Sequence, residues 1–212
     1  MLLNLREEYE YGKLDLEDVS ENPVLQFHQW FQEALSRGLP EPYAMTLATA
    51  NAQGRPSART VLMRNYSDGG FVFFTNYDSR KGQDLSENPC AALLFFWAEL
   101  QRQVRIEGVI EKISKADSEA YFQSRPKGSQ IGAWASPQSR AIAGRQVLEE
   151  QVRALEMKYE NVDKLPLPDN WGGYLLRPDS IEFWQGRPSR LHDRIHYSRL
   201  DHGSWKIERL AP

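Results

Sequence analysis

Arg59 and Arg64 bracket the run Thr60-Val61-Leu62-Met63 in a segment otherwise suited to a buried strand. A charge there is costly unless an anion or a carboxylate meets it. Five positions apart, the two arginines fall on opposite faces of a regular strand and would serve two different anions unless a bulge intervenes. The plainer reading is that each caps a sheet edge facing solvent. Thr75-Asn76 ends the next strand-like run and Ser79-Arg80-Lys81 opens a helix, so a hydroxyl, two cations and free backbone N–H groups converge on one spot suited to phosphate. A second cradle is legible where Tyr121 and Arg125 stand one helical turn apart, Pro126 closes that helix, and Ser129 caps the following segment QIGAWAS. In the string R-L-H-D-R, a strand would present Arg190, His192 and Arg194 on one face along ~13 Å. Three like charges in a row repel, so the face is either a wet outer surface or an anion site. Trp184-Gln185-Gly186, Gln138-Ser139 and Gln103 add an indole, amides and a hydroxyl able to bond the edges of a heteroaromatic ring. Two phosphate-competent spots with such groups suggest a phosphorylated planar cofactor beside a small phosphorylated substrate.

Other chemistries lack their residues. The sequence has no G-x-G-x-x-G after a strand, no G-x-x-x-x-G-K-[ST], no G-x-S-x-G and no H-E-x-x-H. One cysteine excludes an internal disulfide framework and any cysteine-based zinc cluster, and the spacing of His192 and His196 brings no third ligand, so no metal is expected. Cys90 opens the run CAALLFFWA and reads as a buried apolar strand residue rather than a nucleophile. That run, the longest apolar one, is about half the ~18 residues a membrane-spanning helix needs, so no membrane span is expected. The start, MLLNLREEYE, turns acidic before an apolar signal core forms, which makes the cytoplasm the expected compartment. A net charge of −3 makes nucleic acid a poor partner. Residues 1–42 hold 3 basic and 9 acidic groups, whereas residues 43–212 hold 23 basic and 20 acidic, so an anion site belongs to the later part as a local cluster.

The elements that must position these residues follow from periodicity and punctuation. A length of 212 residues with 41% hydrophobic and 26% charged suits one domain with a sizeable core. Asn22-Pro23 caps a helix that stops near Gly38, and Phe27, Trp30, Phe31, Ala34 and Leu35 give it one apolar face. After Pro42 come short runs rich in β-branched and aromatic residues: 43–50, 57–66, 71–76, 90–97, 102–113, 172–184, 191–199 and 204–209. Helices are expected at 79–87, 114–124 and 144–159, the last followed by an extended LPLP. The pattern predicts an α+β fold, a mainly antiparallel sheet closing or nearly closing into a split barrel with peripheral helices. Residues 1–20 read as a mobile amino-terminal arm, and 21–212 as the barrel domain.

The strings RTVLMRNY, FFTNYDSRKGQDL, RQVRIEG, YFQSRPKGSQIGAW, WGGYLLRP, IEFWQG, RLHDR and ERLAP together resemble the pyridoxamine (pyridoxine) 5′-phosphate oxidase family from about Leu5 to Pro212. The resemblance implies a split barrel and a homodimer with two flavin mononucleotide (FMN) sites at its interface. It implies that Arg59, Thr60, Val61, Leu62, Met63, Arg64, Phe74, Thr75, Arg80, Lys81 and Gln103 hold FMN from one subunit, while Gln138, Ser139, Trp184 and Arg194 reach it from the other. Substrate phosphate would fall to Arg64, Tyr121, Arg125 and Ser129. Arg190 and His192 would lie over the pyridine ring at the reacting face, and Arg6 and Tyr9 belong to a segment that closes over the substrate. Family members often carry lysine at the position of Arg64 and a second basic residue at that of Glu7. Arginine keeps the charge and grips phosphate bidentately. The implied reaction oxidises pyridoxamine 5′-phosphate or pyridoxine 5′-phosphate to pyridoxal 5′-phosphate, with O₂ as acceptor and hydrogen peroxide released. The competing readings are a phenazine-pathway oxidase, which needs no phosphate cradle, and a flavin- or haem-binding module without turnover.

Overall fold

The computed structural model describes residues 8–212. Helix α1 (Pro23–Ser36) is capped by Asn22, whose side chain accepts from the N–H groups of Val24 and Leu25, with proline in the first turn. Strands β1 (Ala44–Ala50), β2 (Pro56–Ser67) and β3 (Gly70–Asn76) follow as a meander, then helix α2 (Arg80–Glu87), strand β4 (Cys90–Trp97) and strand β5 (Arg102–Lys112). Helices α3 (Lys115–Ser124), α4 (Lys127–Ala135) and α5 (Arg145–Lys158) form an excursion before the long strand β6 (Trp171–Gln185) and the closing strands β7 (Asp193–Arg199) and β8 (Trp205–Leu210).

The sheet runs β3-β2-β1-β4-β5-β6-β7-β8, and β3 also pairs with β6. Six antiparallel strands thus close into a barrel, and β7 and β8 extend from β6 beyond it. This is the α+β split barrel. β6 takes both roles because it is 15 residues long: its first half pairs with β3 and its second with β7. The apolar face of α1 packs on the barrel core. Phe27 lies 5.0 Å from both Phe71 and Phe95, and Trp30 meets Phe183 edge-on at 5.2 Å. Phe27, Phe71, Phe95 and Phe183 are fully buried, each worth ~1.5–3 kcal/mol by the area it removes from water. A smaller core of Phe122, Ile131, Tyr159, Leu165 and Trp171 joins the helical excursion to the start of β6.

Three local expectations change. Cys90 is exposed, because it sits at the very start of β4, where alternation turns its side chain away from the core that takes Ala91 and Leu93. The R-L-H-D-R string is a strand only from Asp193. Before it, Pro188–Arg190 make a 3-10 turn in which Ser189 and Arg190 adopt φ of 55° and 62°. Proline and those left-handed residues break strand periodicity, so Arg190, His192 and Arg194 are not three rungs of one face. Ser129 is not a cap either: α4 begins at Lys127, with Pro126 at its N-cap position, which leaves Ser129 within the first turn.

Candidate active site

The first cradle forms where β3 hands over to α2. Ser79 caps the helix, accepting from the Gly82 N–H at 3.3 Å while its own hydroxyl donates to the Asn76 carbonyl at 2.6 Å. The turn is tight enough that Gly82 has no alternative: a Cβ there would lie 2.1 Å from the Tyr77 carbonyl oxygen. Lys81 is thereby turned inward, donating to Thr75 Oγ1 at 3.1 Å, Ser79 Oγ at 3.3 Å and Gln138 Oε1 at 2.8 Å. All three partners are neutral. Burial first, and the nearby Arg59 charge second, pull the Lys81 ammonium down to about 8.

Arg59 is anchored from behind, donating to the Leu47 carbonyl at 3.1 Å, Thr49 Oγ1 at 2.8 Å and Ser57 Oγ at 2.6 Å. Asp84 on α2 stands 3.8 Å away and accepts from Thr49 Oγ1 at 2.7 Å. Burial lowers the Arg59 pKa and the Asp84 charge opposes that. The β2–β3 register shifts between Met63 and Asn65, so a bulge falls on Arg64. The opposite-face arrangement expected of a regular strand is therefore replaced: Arg59 and Arg64 line one cavity of about 320 Å³, together with Thr60, Val61, Leu62, Phe74, Thr75, Lys81, Tyr121, Arg125 and Gln138. Met63 is the exception in its run, since its side chain is buried in the core and only its backbone remains available to a ligand.

The second cradle opens off the first. An adjoining cavity of about 280 Å³ shares Arg125, Gln138 and Trp171 with it and adds Ser129. Tyr121 stacks on Phe74 at 3.8 Å, Phe74 on Trp171 at 5.5 Å, and the Arg125 guanidinium lies 4.7 Å from the Trp171 ring. Arg125 Nη1 is buried without a hydrogen-bond partner among the described residues. A buried cationic donor left unpaired is costly, and an anionic oxygen placed beside it would remove that cost. Burial lowers the Arg125 pKa.

A second group lies elsewhere on the same chain. Gln103, Trp184 and Arg194 are direct neighbours in register across β5, β6 and β7. His192 packs 4.6 Å from the Trp184 ring, and Tyr9 lies 5.8 Å from both. His192 Nδ1 accepts from the Arg187 N–H at 3.1 Å, which requires the neutral ring with its proton on Nε2. Burial and the Arg190 charge lower its pKa, in keeping with that form. Arg190 and Ser139 are exposed, each at positive φ, and Arg80 is exposed on α2. Arg6 lies outside the described residues.

Within one chain, Gln138 bonds Lys81 and Thr75, and Gln103 stands in register with Trp184, itself beside Arg194. Trp171, Asp84 and Glu182 were not singled out from the sequence. Trp171 opens a strand in an apolar context and carried no pattern of its own, and the two carboxylates show their value only beside the arginines they meet.

The barrel and its cation-lined cavity define a split-barrel protein with a site suited to anionic ligands. Residues 31–159 match the family model described as pyridoxamine 5′-phosphate oxidase, and residues 171–212 match the pyridoxine 5′-phosphate oxidase C-terminal dimerisation region. A pyridoxine/pyridoxamine 5′-phosphate oxidase of Paraburkholderia phymatum is 56% identical over 211 residues, covering 100% of this chain and 99% of its own. One from Nostoc punctiforme is 55% identical over 209 residues, covering 99% and 97%. Among solved structures, PhzG from Burkholderia lata 383 in complex with tetrahydrophenazine-1-carboxylic acid superposes with a TM-score of 0.87 at 30% identity, over 95% of this chain and 100% of that one. This chain belongs to the pyridoxamine 5′-phosphate oxidase family.

Proposed function

We propose that this chain binds FMN and oxidises pyridoxamine 5′-phosphate and pyridoxine 5′-phosphate to pyridoxal 5′-phosphate, reducing O₂ to hydrogen peroxide. The observation that carries the reading is the pair of joined cavities bearing Arg59, Arg64, Lys81 and Arg125, with Arg125 Nη1 buried and unpaired. Relatives named for this activity are 53–56% identical along the whole chain, which supports the same conclusion.

The donor set fits FMN. Arg59, Lys81 and the Ser79-capped start of α2 would hold the cofactor phosphate, and Thr75 and Gln138 would bond beside it. When bound, FMN supplies a two-electron acceptor for the substrate's C4′ carbon and passes the electrons to O₂. The amine substrate thereby yields aldehyde and ammonia with uptake of water, and the alcohol yields aldehyde alone. The protein's own task is placement. Arg64, Tyr121, Arg125 and Ser129 would fix the substrate phosphate, which sets the position of the ring. Arg190 and His192 would lie over that ring from the second group, His192 offering its Nε2–H as a donor. Because one chain keeps the two groups in separate places, the reading includes a homodimer in which Trp184 and Arg194 of one subunit complete the other's cavity. Residues 1–20 would act as an arm over this site and 21–212 as the barrel domain. A cytoplasmic location accords with this chemistry, and no helix among the described residues is long and apolar enough to cross a membrane.

The likeness to PhzG raises a second substrate class, a larger unphosphorylated tricycle. An oxygen electrode separates the two. Pyridoxine 5′-phosphate and pyridoxamine 5′-phosphate should drive O₂ uptake and their unphosphorylated forms should not. Equal rates with and without the phosphate would overturn the assignment.

A further inference from the structure

Glu182 is the most enclosed carboxylate of the sheet, with its side chain only 3% exposed, yet it sits among cations rather than apolar groups. Arg105 of β5 donates Nη2 to Glu182 Oε2 at 2.9 Å. Arg194 of β7 grips the same carboxylate at two points, Nε to Oε1 at 3.2 Å and Nη2 to Oε2 at 2.8 Å. Its Nη1 donates to the Ala211 carbonyl at 2.8 Å. Arg105 meets Glu182 at one point only and is shared with Glu107 at 3.0 Å, so the two-point partner of the buried acid is Arg194. A two-point contact fixes the plane of a guanidinium where a single contact leaves it free to rotate. Three of the five Arg194 N–H groups are thus occupied, and two are left, one on each terminal nitrogen. Those two belong to a side chain still 25% exposed, directly beside Trp184 in register.

We infer that Glu182 is a positioning residue: from β6 it sets the guanidinium plane of Arg194, and so the direction of the two N–H groups that Arg194 offers to FMN. The inference rests on the cofactor role proposed above for Arg194. It also gives the buried charge a purpose, since a buried ion pair by itself contributes little net stability.

Titration of FMN into the full chain stripped of flavin, followed by quenching of flavin fluorescence, tests the inference without turnover. Arg194→Ala is expected to weaken FMN binding about tenfold or more, the loss that accompanies removal of a charge-assisted hydrogen bond. Glu182→Gln should weaken it comparably, and the double variant should bind no worse than Arg194→Ala alone. Glu182→Asp keeps the charge but shortens the reach; it should fold, lose affinity to a smaller degree, and again add nothing once Arg194 is gone. That variant decides the matter if Glu182→Gln does not fold. If Arg194→Ala weakens binding while both Glu182 variants bind normally, or if the losses simply add, the positioning role is overturned and the cofactor role of Arg194 stands. If Arg194→Ala binds FMN normally, the cofactor role itself falls, and the role of Glu182 falls with it.

Discussion

Lys81 spends its three hydrogen bonds on neutral oxygens, and its charge is compensated by no carboxylate among them. Its pKa falls from 10.5 to about 8 in the folded chain, so the unfolded chain binds more protons between those values and stability rises with pH across that window. Below about 8 the folded chain carries the whole penalty of a buried ammonium. Lys81→Met should therefore raise the melting temperature of the flavin-free chain at pH 7 while weakening FMN binding, as thermal melts with and without FMN would reveal. A bound phosphate reverses the preference by favouring the charged lysine. FMN affinity of the native chain should fall roughly tenfold from pH 7 to pH 9, with proton uptake on binding that calorimetry in buffers of different ionisation enthalpy detects. Arg125 is the matching case on the substrate side. Arg125→Met should raise KM for the phosphorylated substrates roughly 10- to 100-fold and leave FMN affinity nearly unchanged, as the proposed assignment of its unpaired Nη1 to the substrate phosphate requires. The types and order of these residues were visible in the chain. Which cations have a carboxylate partner was not, since Asp84 lies 25 positions from Arg59 and Glu182 lies 12 from Arg194.

Elements decide where such residues point. Ser79 at the head of α2 holds the β3 end, the helix start and Lys81 together, so Ser79→Ala should cost ~1 kcal/mol of stability as a lost N-cap and should also loosen FMN binding. Chemical denaturation and flavin titration on the same variant separate the two effects. Over the second group the segment from Tyr9 to Asp15 is tied down by Arg187 to the Gly12 carbonyl at 2.8 Å, Leu14 N–H to Asp193 at 3.0 Å, and Arg209 to the Leu14 carbonyl at 2.8 Å. Gly186 gives Tyr9 its seat: a Cβ there would stand 2.6 Å from the Tyr9 ring. Gly186→Ala should displace that segment from Trp184 and His192, lowering kcat/KM while the melting temperature changes little. The helix capped by Asn22, the strand end at Asn76 and the helix opened by Ser79 were all legible, because each is punctuated by residues with local conformational preferences. The bulge at Arg64 and the turn at Ser189-Arg190 were not, since both are imposed by partners across the sheet and over the site.

At the scale of the molecule, the two groups of site residues occupy different parts of one chain, and a second copy brings them together in the function proposed. The carboxy-terminal region that matches the family's dimerisation model contains Trp184, His192 and Arg194, so the surface that would join subunits and the surface that would complete the cavity are the same stretch of chain. Flavin binding and association should be linked: sedimentation should give twice the 24.5 kDa of one chain with FMN bound, and dilution should release flavin together with monomer. Flavin release that is independent of protein concentration would contradict a shared site.

What the sequence alone determined is the alphabet of the protein: alternating apolar strands, capped helices, arginines set in apolar surroundings, and motif strings specific enough to identify the family. These are readable because they depend on near neighbours, through periodicity, capping and the cost of isolated charge. Only the tertiary structure decided which charges share a cavity, that Gln138 faces Lys81, that Gln103 stands with Trp184, and which carboxylates pair with the arginines. Those facts are set by strand register and barrel closure, which join residues far apart in the chain and leave no trace in the local pattern.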